Sequence, residues 1–306
     1  MVSLSLSGAG PYTASMRKIL VLCAVAIFLA GCGTKPENTT SLSTNSGLIN
    51  DRVVHRSFFM DREFFDQAYQ NEKPNESVDF AVAGIIPHHL LASHLIARFF
   101  LGLSNQTPSV VVVIGPNHFN TGSGPIISSK GEWSTPYGTL QPAEAIIDTL
   151  SKEDLVKIDE RVFEKEHSIS AEVSFIQKSF PRTTFVPIVL KNTVTAEDAK
   201  RLAETLDATL PDDALVLASV DFSHEVTPAV ADTQAEINIA VLQNRDMASV
   251  TDMYVDSKPA ILTLLEYVER RGTKTGVLLE SSNAATVTGE AGLTDVTSYL
   301  TWYFVR

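Results

Sequence analysis

Three runs of β-forming residues in this chain each end within a few residues of a histidine. Ala81-Val82-Ala83-Gly84-Ile85-Ile86 leads into Pro87-His88-His89, and Val110-Val111-Val112-Val113-Ile114 into Gly115-Pro116-Asn117-His118. Leu215-Val216-Leu217-Ala218-Ser219-Val220 leads into Asp221-Phe222-Ser223-His224. An apolar, β-branched run bounded by Gly or Pro reads as a strand buried on both faces, the kind found at the centre of a parallel sheet. Open α/β sheets bind ligands beyond the carboxyl ends of such strands. All three histidine groups fall there, and imidazole is both a common metal ligand and the side chain that titrates near neutrality. The remaining histidines are His55, His94 and His167.

Other elements alternate around these strands. Residues 90–103, 143–150, 170–179, 196–210, 232–243, 246–254 and 259–270 read as helices, the last with Pro259 at a tolerated first-turn position. Residues 184–190 read as a further buried strand, and 277–279 and 297–305 as strands closing the sheet. Strand–helix alternation without a second linker or an internal repeat predicts a single α/β domain over residues 51–306. Its central sheet is expected to be largely parallel, with helices on both faces.

The first fifty residues read differently. Arg17-Lys18, an apolar run from Ile19 to Leu29 and the small residues Ala30-Gly31 before Cys32 have the order of a secretory signal. Leu29-Ala30-Gly31-Cys32 resembles the bacterial lipobox, in which the cysteine becomes the lipidated first residue. The expectation is a signal peptide over residues 1–31, with residues 1–15 an over-extended start and Met16 the natural one. A lipid on Cys32 and a Ser/Thr/Asn/Gly-rich tether to residue 50 would follow. The apolar run is shorter than the roughly 20 residues a membrane span needs. The expected location is therefore the bacterial cell envelope, lipid-anchored to a membrane and facing the periplasm or the exterior.

Loss of residues 1–31 deletes Arg17 and Lys18 but no acid, taking the formal charge from −12 to −14. A surface this acidic argues against nucleic acid as a partner. Of the two cysteines, Cys23 would be discarded and Cys32 would carry lipid, leaving no disulfide and no thiol nucleophile. Gly122-Ser123-Gly124 lacks the spacing of a dinucleotide loop, and no Gly-x-Ser-x-Gly elbow is present.

Each histidine motif has a structural alternative to a functional one. Pro87 stops the strand ladder and fixes a turn from which His88 or His89 could reach over the sheet edge, or simply cap the next helix. His118 follows a sharp turn that could be purely structural. Asp221 and His224, three apart, could orient a general base or complete a metal shell, or Asp221 could cap the next segment. Glu166-His167-Ser168 could fix an imidazole tautomer or merely flank a helix start. The first two groups together point to a shared metal.

In order along the domain, six stretches then resemble one known family. Gly84-Ile85-Ile86-Pro87-His88 is similar to a strand ending in Pro-His-Ala-Gly-Tyr, and Ile114-Gly115-Pro116-Asn117-His118 to Leu-Gly-Pro-Ser-His-His. Thr135-Pro136-Tyr137-Gly138 resembles Thr-Pro-Leu-Gly, and Glu166-His167-Ser168-Ile169 matches Glu-His-Ser-Ile. Phe185-Val186-Pro187-Ile188-Val189 and Ser219-Val220-Asp221-Phe222-Ser223-His224 complete the set. These are the motifs of the Memo family, called AmmeMemoRadiSam system protein B in prokaryotes.

The resemblance implies a fold similar to the catalytic subunit of extradiol-type non-haem iron dioxygenases. It also implies one bound divalent or redox metal ion, Fe(II) first and copper as the alternative. Carried over, the ligands are His88 and His118, with His224, Asp221, Glu166 and His167 around the reacting centre. Metal-dependent redox or oxygenase-like chemistry on an unidentified small substrate is the implied function. A non-enzymatic peptide- or metabolite-binding module and an envelope metal-handling protein are the alternatives. A functional link to AMMECR-type and radical SAM proteins is also implied.

Two departures from the family pattern bear on the site. One residue fewer separates Ile85-Ile86 from the histidines, so a gapless match selects His89 where the Pro-His pair selects His88. The family's late cysteine is missing: the equivalent stretch is Tyr254-Val255-Asp256-Ser257-Lys258-Pro259-Ala260, where Asp256 is the ready oxygen ligand. Two histidines and one carboxylate form a recognised facial set for non-haem Fe(II). The alternative is Asp256 as the cap of the helix beginning near Pro259.

Overall fold

The computed structural model describes residues 52–306 apart from 71, 73–77, 79, 153, 274 and 291. The expected signal segment, Cys32 and the tether lie outside the described residues. In chain order the strands are β1 (Val54–Arg56), β2 (Ala81–Ile86), β3 (Val110–Pro116), β4 (Ile126–Ser128), β5 (Glu132–Thr135) and β6 (Gly138–Pro142). They continue as β7 (Val156–Ile158), β8 (Thr184–Leu190), β9 (Leu215–Ser219), β10 (Thr275–Asn283) and β11 (Ser298–Val305). The helices are α1 (Arg62–Gln70), α2 (Ser93–Gly102), α3 (Glu144–Lys152), α4 (His167–Ser170), α5 (Val173–Ser179), α6 (Ala196–Thr209), α7 (Pro228–Asn244), α8 (Lys258–Arg270) and α9 (Ala284–Thr288).

One sheet runs in the order β1-β5-β6-β8-β3-β9-β2-β11-β10, with β4 and β7 branching from β8. Its centre, β8-β3-β9-β2, is parallel throughout. The flanks are mixed: β11 runs antiparallel to both β2 and β10, and β5 antiparallel to β6. This is a single α/β domain with the parallel core that the uninterrupted apolar runs predict. The antiparallel additions sit at the sides, where strands need cover on fewer faces.

Period-2 alternation divides the central strands between two cores. Val111 and Val113 of β3 and Leu215 and Leu217 of β9 face one side, with α1, α2 and α5 over them. Val110, Val112 and Ile114, with Val216 and Ala218, face the other, under α3, α6, α7 and α8. The Phe99-Phe100 pair of α2 is core, as its helical spacing implies. Gly115 is required where β3 meets α4: a Cβ there would lie 2.6 Å from Ser168 Oγ.

Some elements differ from the sequence reading. The segment 246–254 forms no α-helix but a 3-10 turn over Met247–Asp252, started by Asp246, whose side chain accepts from the Ala248 and Ser249 amides. The helix expected over 170–179 is α5, beginning only at Val173, with the separate one-turn α4 just before it, and β10 is far longer than residues 277–279. Strands β4 to β7 and β1 are three to five residues long. Segments that short show too little alternation to stand out. The strands β2 and β3, consecutive in the chain, are separated in the sheet by β9. The three histidine-ending strands are therefore immediate neighbours, in the order β3-β9-β2. No helix among the described residues is long and apolar enough to cross a membrane.

Candidate metal centre

Beyond the carboxyl end of β2, Pro87 turns the chain and drops His88 over the sheet edge, where its side chain is 1% exposed. The ring is held by its Nδ1, which donates to the Ser219 carbonyl at the end of β9 over 3.2 Å. That leaves Nε2 with its lone pair, and Nε2 faces Asp256 Oδ2 at 3.3 Å and Asp221 Oδ2 at 3.5 Å. Three electron-rich atoms turned toward one point repel one another unless a proton or a metal cation lies among them.

His118 is oriented by a different device. Glu166, 1% exposed, accepts from His118 Nδ1 at 2.7 Å through Oε1 and from the His118 amide at 2.8 Å through Oε2. The same carboxylate accepts from the Ser168 amide at 2.9 Å, so Glu166 is itself the N-cap of α4. Burial pushes the Glu166 carboxyl up, but the His118 ring and these amides outweigh it and hold it at about 2. Glu166 thus fixes the tautomer of His118 and not that of its neighbour His167. A carboxylate behind a histidine is the usual outer support of a metal-ligating imidazole. His118 Nε2 is left free, 4.0 Å from Asp256 Oδ2.

His167, the first residue of α4, stacks on His118 with ring centroids 4.1 Å apart and an interplanar angle of 17°. Its ring stands edge-on to His88 at 5.2 Å. Burial, with the His88 and His118 rings beside it, pushes His167 down to about 4. Burial also lowers His88. Both are neutral donors at pH 7.

Asp256 arrives on the loop before α8. Its Oδ2 accepts from the Asp221 amide at 3.0 Å, and its own amide donates to the Asp221 carbonyl at 3.0 Å. Asp221 in turn accepts the His88 amide at 3.2 Å, which pins the Pro87 turn. Burial, and then the Asp221 carboxylate beside it, push Asp256 well above the usual carboxylate range. The helix-cap alternative for Asp256 is overturned: Ser257 is the N-cap of α8, its side chain accepting from the Ala260 amide.

Two ligand sets whose donor atoms lie within 4.8 Å of one another emerge, sharing His88: His88, His118 and His167, and His88, Asp221 and Asp256. Atoms bound to one metal at about 2.1 Å sit about 3.0–3.4 Å apart, so the 3.3 Å His88–Asp256 spacing fits directly, whereas His118 Nε2, 4.0 Å from Asp256 Oδ2, must move closer to share an ion with that carboxylate. The donors are imidazole and carboxylate with outer-shell support, a set that fits a divalent first-row metal.

The other expected residues fall around this cluster. His89 turns away, with Nδ1 2.8 Å from the Tyr299 hydroxyl, so His88 alone of that pair is in the cluster. His224 is exposed at the rim, Nδ1 3.4 Å from Thr297 Oγ1. Asp221 carries no hydrogen bond to it among the described residues; its carboxylate serves the His88 and His89 amides instead. His55 lies elsewhere, Nε2 2.7 Å from Glu160 Oε2, tying β1 to the 3-10 turn over Glu160–Glu164. Sequence reasoning did not single out Glu172, a fully buried carboxyl that burial and then the field of Asp221 raise well above its ordinary range. A lone acid in an apolar run carries no distinguishing pattern. His167 was expected around the reacting centre, but its stacking on His118 was not legible, because it depends on how α4 packs beyond β3.

Residues 61–302 match the family model described as Memo-like protein. A MEMO1 family protein of Caldivirga maquilingensis is 28% identical over 261 residues, covering 81% of this chain and 90% of that protein. A MEMO1 family protein of Saccharolobus islandicus is 33% identical over 211 residues, covering 66% and 72%. Among solved structures, the uncharacterized protein JW3007 from Escherichia coli K12 gives a TM-score of 0.48 at 14% identity, covering 71% of this chain and 98% of that one. The family match takes in every element that builds the cluster, from Pro87 to Asp256, and on it the chain belongs to the Memo-like family.

Proposed function

We propose that the protein is a mononuclear metal protein carrying out redox, oxygenase-like chemistry on a small substrate, with His88, His118 and Asp256 as ligands. The observation that carries this is His88: its Nδ1 is committed to Ser219, so Nε2 must present a lone pair toward two carboxylate oxygens. A bound redox metal would supply Lewis acidity and single-electron chemistry, with Fe(II) suited to the harder carboxylate set and copper as the alternative. His167, neutral at pH 7 and half-exposed beside the ligands, can accept a proton from a substrate hydroxyl. His224 at the rim is a second proton acceptor, and Glu166 keeps His118 in the binding tautomer.

The test is metal analysis of protein purified without a histidine tag, followed by oxygen uptake with Fe(II) and a catechol-like substrate. One equivalent of metal and turnover lost in His167→Gln support the reading. Tight metal binding without turnover across a substrate panel favours a binding or metal-handling role, and metal-free protein that takes up no Fe(II) or copper ends it. The envelope location is part of the same proposal, resting on the lipobox-like Leu29-Ala30-Gly31-Cys32.

A further inference from the structure

Two of the three proposed ligands are steadied by groups from the sheet and from α4. His88 is pinned by the Ser219 carbonyl and the Asp221 carboxylate, and His118 by Glu166. Asp256 is carried instead by the loop that joins the 3-10 turn Met247–Asp252 to α8. Loops move more than the elements they connect, yet a ligand must be placed to within about half an ångström.

Most residues of that loop are fixed by contacts of their own. Met253 is 2% exposed in the core, and Val255 packs against the same cluster. Asp256 and Asp221 exchange two hydrogen bonds, and Ser257 caps α8. Tyr254 is different, because its side chain is 43% exposed and the residue is held by its backbone. Asn238 of α7 accepts from the Tyr254 amide through Oδ1 at 2.9 Å and donates to the Tyr254 carbonyl through Nδ2 at 3.1 Å. One side chain thus grips both backbone groups of a residue two positions before the ligand.

Packing alone does not call for an asparagine there. The other buried residues of α7 are Ala231, Ala235, Val241 and Leu242, and Asn238 lies among them fully buried. A buried amide is costly unless its groups are paired, and an apolar residue would continue the stripe without that cost. Both polar atoms of Asn238 are paired, and both to Tyr254. The amide serves the loop.

We infer that Asn238 is a positioning residue for Asp256: by clamping Tyr254 it sets the loop so that Asp256 Oδ2 stands 3.3 Å from His88 Nε2. The inference rests on the reading of Asp256 as the third ligand. Asn238 acts through the chain between Tyr254 and Asp256, so a helix residue outside the cluster controls metal affinity and the ligand field of the bound ion.

Calorimetric titration with Mn(II) and the visible spectrum of Co(II)-loaded protein, both on the full chain, test it. Asn238→Ala should weaken Mn(II) at least tenfold and move the Co(II) bands, because the carboxylate is no longer held in place. Phe65→Leu, in the core on the other face of the sheet, is the control for lost stability alone. It should lower the melting temperature and leave both metal readouts at wild type. Coupling between two sites is reciprocal, so Mn(II) should also slow hydrogen exchange of the wild-type Tyr254 amide by a similar factor. That measurement needs no variant and stands even where Asn238→Ala does not fold. Wild-type Mn(II) affinity and Co(II) bands in folded Asn238→Ala, or Tyr254 exchange unaltered by Mn(II), would overturn the inference. Asp256→Ala, run alongside, separates the two failures. Mn(II) bound at full strength there removes Asp256 from the ligand set, whereas Mn(II) lost there but untouched in Asn238→Ala keeps the ligand and refutes the clamp.

Discussion

Glu166 Oε1 and His118 Nδ1 lie 2.7 Å apart, and the same carboxylate caps the helix that carries His167. One buried acid thus aligns two imidazoles from different elements, and its removal should be felt at both. Glu166→Gln keeps the size but loses the charge that favours Nδ1–H on His118. Metal affinity should fall about 10–100-fold, the usual cost of losing an outer-shell partner. Isothermal titration with Fe(II) or Mn(II) checks it, and unchanged affinity would show that His118 is not a ligand.

The paired ligands give a sharper test. His118→Ala should lower metal stoichiometry as much as His88→Ala, and the double variant should add little, because ligands to one ion act as a unit. His89→Ala, whose ring is bonded to Tyr299, should leave stoichiometry unchanged. Full occupancy in the His88/His118 double variant would refute the shared site.

Much of this arrangement was legible because strand ends announce themselves. The runs before Pro87, Pro116 and Asp221 identified the parallel centre, and the carboxyl-end rule brought His88 and His118 together, while His89 turns to Tyr299 and His224 stays at the rim. The choice between His88 and His89 was not legible. It depends on the Ser219 carbonyl and Tyr299 hydroxyl, partners 131 and 210 residues away in the chain. The Asn238 clamp was equally hidden, since nothing in the pattern of α7 marks a residue whose partner lies in a loop 16 residues on. Asp256 could be proposed as a ligand from the missing cysteine, but its alternative role fell only when Ser257 proved to be the cap.

The buried titratable groups make metal-free stability depend on pH with a definite sign. His167 sits at about 4, below its ordinary 6.5, so between those values the unfolded chain binds more protons. Stability from this group is complete above pH 6.5 and is lost as pH falls toward 4. Asp256, raised, acts oppositely: the folded state keeps a proton that the unfolded chain releases, so rising pH costs stability until the carboxyl ionises. Melts of metal-free protein should show His167→Gln flattening the acid limb and Asp256→Asn flattening the neutral limb. Parallel curves for wild type and both variants would contradict the burial argument.

Export and lipidation should depend on Cys32. Cys32→Ser leaves the basic and apolar parts of the leader intact but removes the acceptor at Leu29-Ala30-Gly31-Cys32. Metabolic fatty-acid labelling should mark wild type and not the variant, which should accumulate as precursor. Equal labelling of the two would refute the lipobox.

If Asp256 is the third ligand, it should set which metal the centre prefers. Its Oδ2 is 3.3 Å from His88 Nε2 and 4.0 Å from His118 Nε2, the position a third ligand would take. A carboxylate there favours Fe(II) or Mn(II), whereas a thiolate is softer and favours Cu(I) or Zn(II). Asp256→Ala should abolish Fe(II) binding while the helix after it survives, because Ser257 holds the cap. Asp256→Cys should restore a three-ligand set and move preference toward Cu(I) or Zn(II). Ser257→Ala is the matched control: it should cost about 1 kcal/mol of stability and leave metal selectivity alone. Competition assays with Fe(II), Zn(II) and Cu(I) on these variants read the two effects apart, and Fe(II) bound at full strength by Asp256→Ala would remove Asp256 from the ligand set.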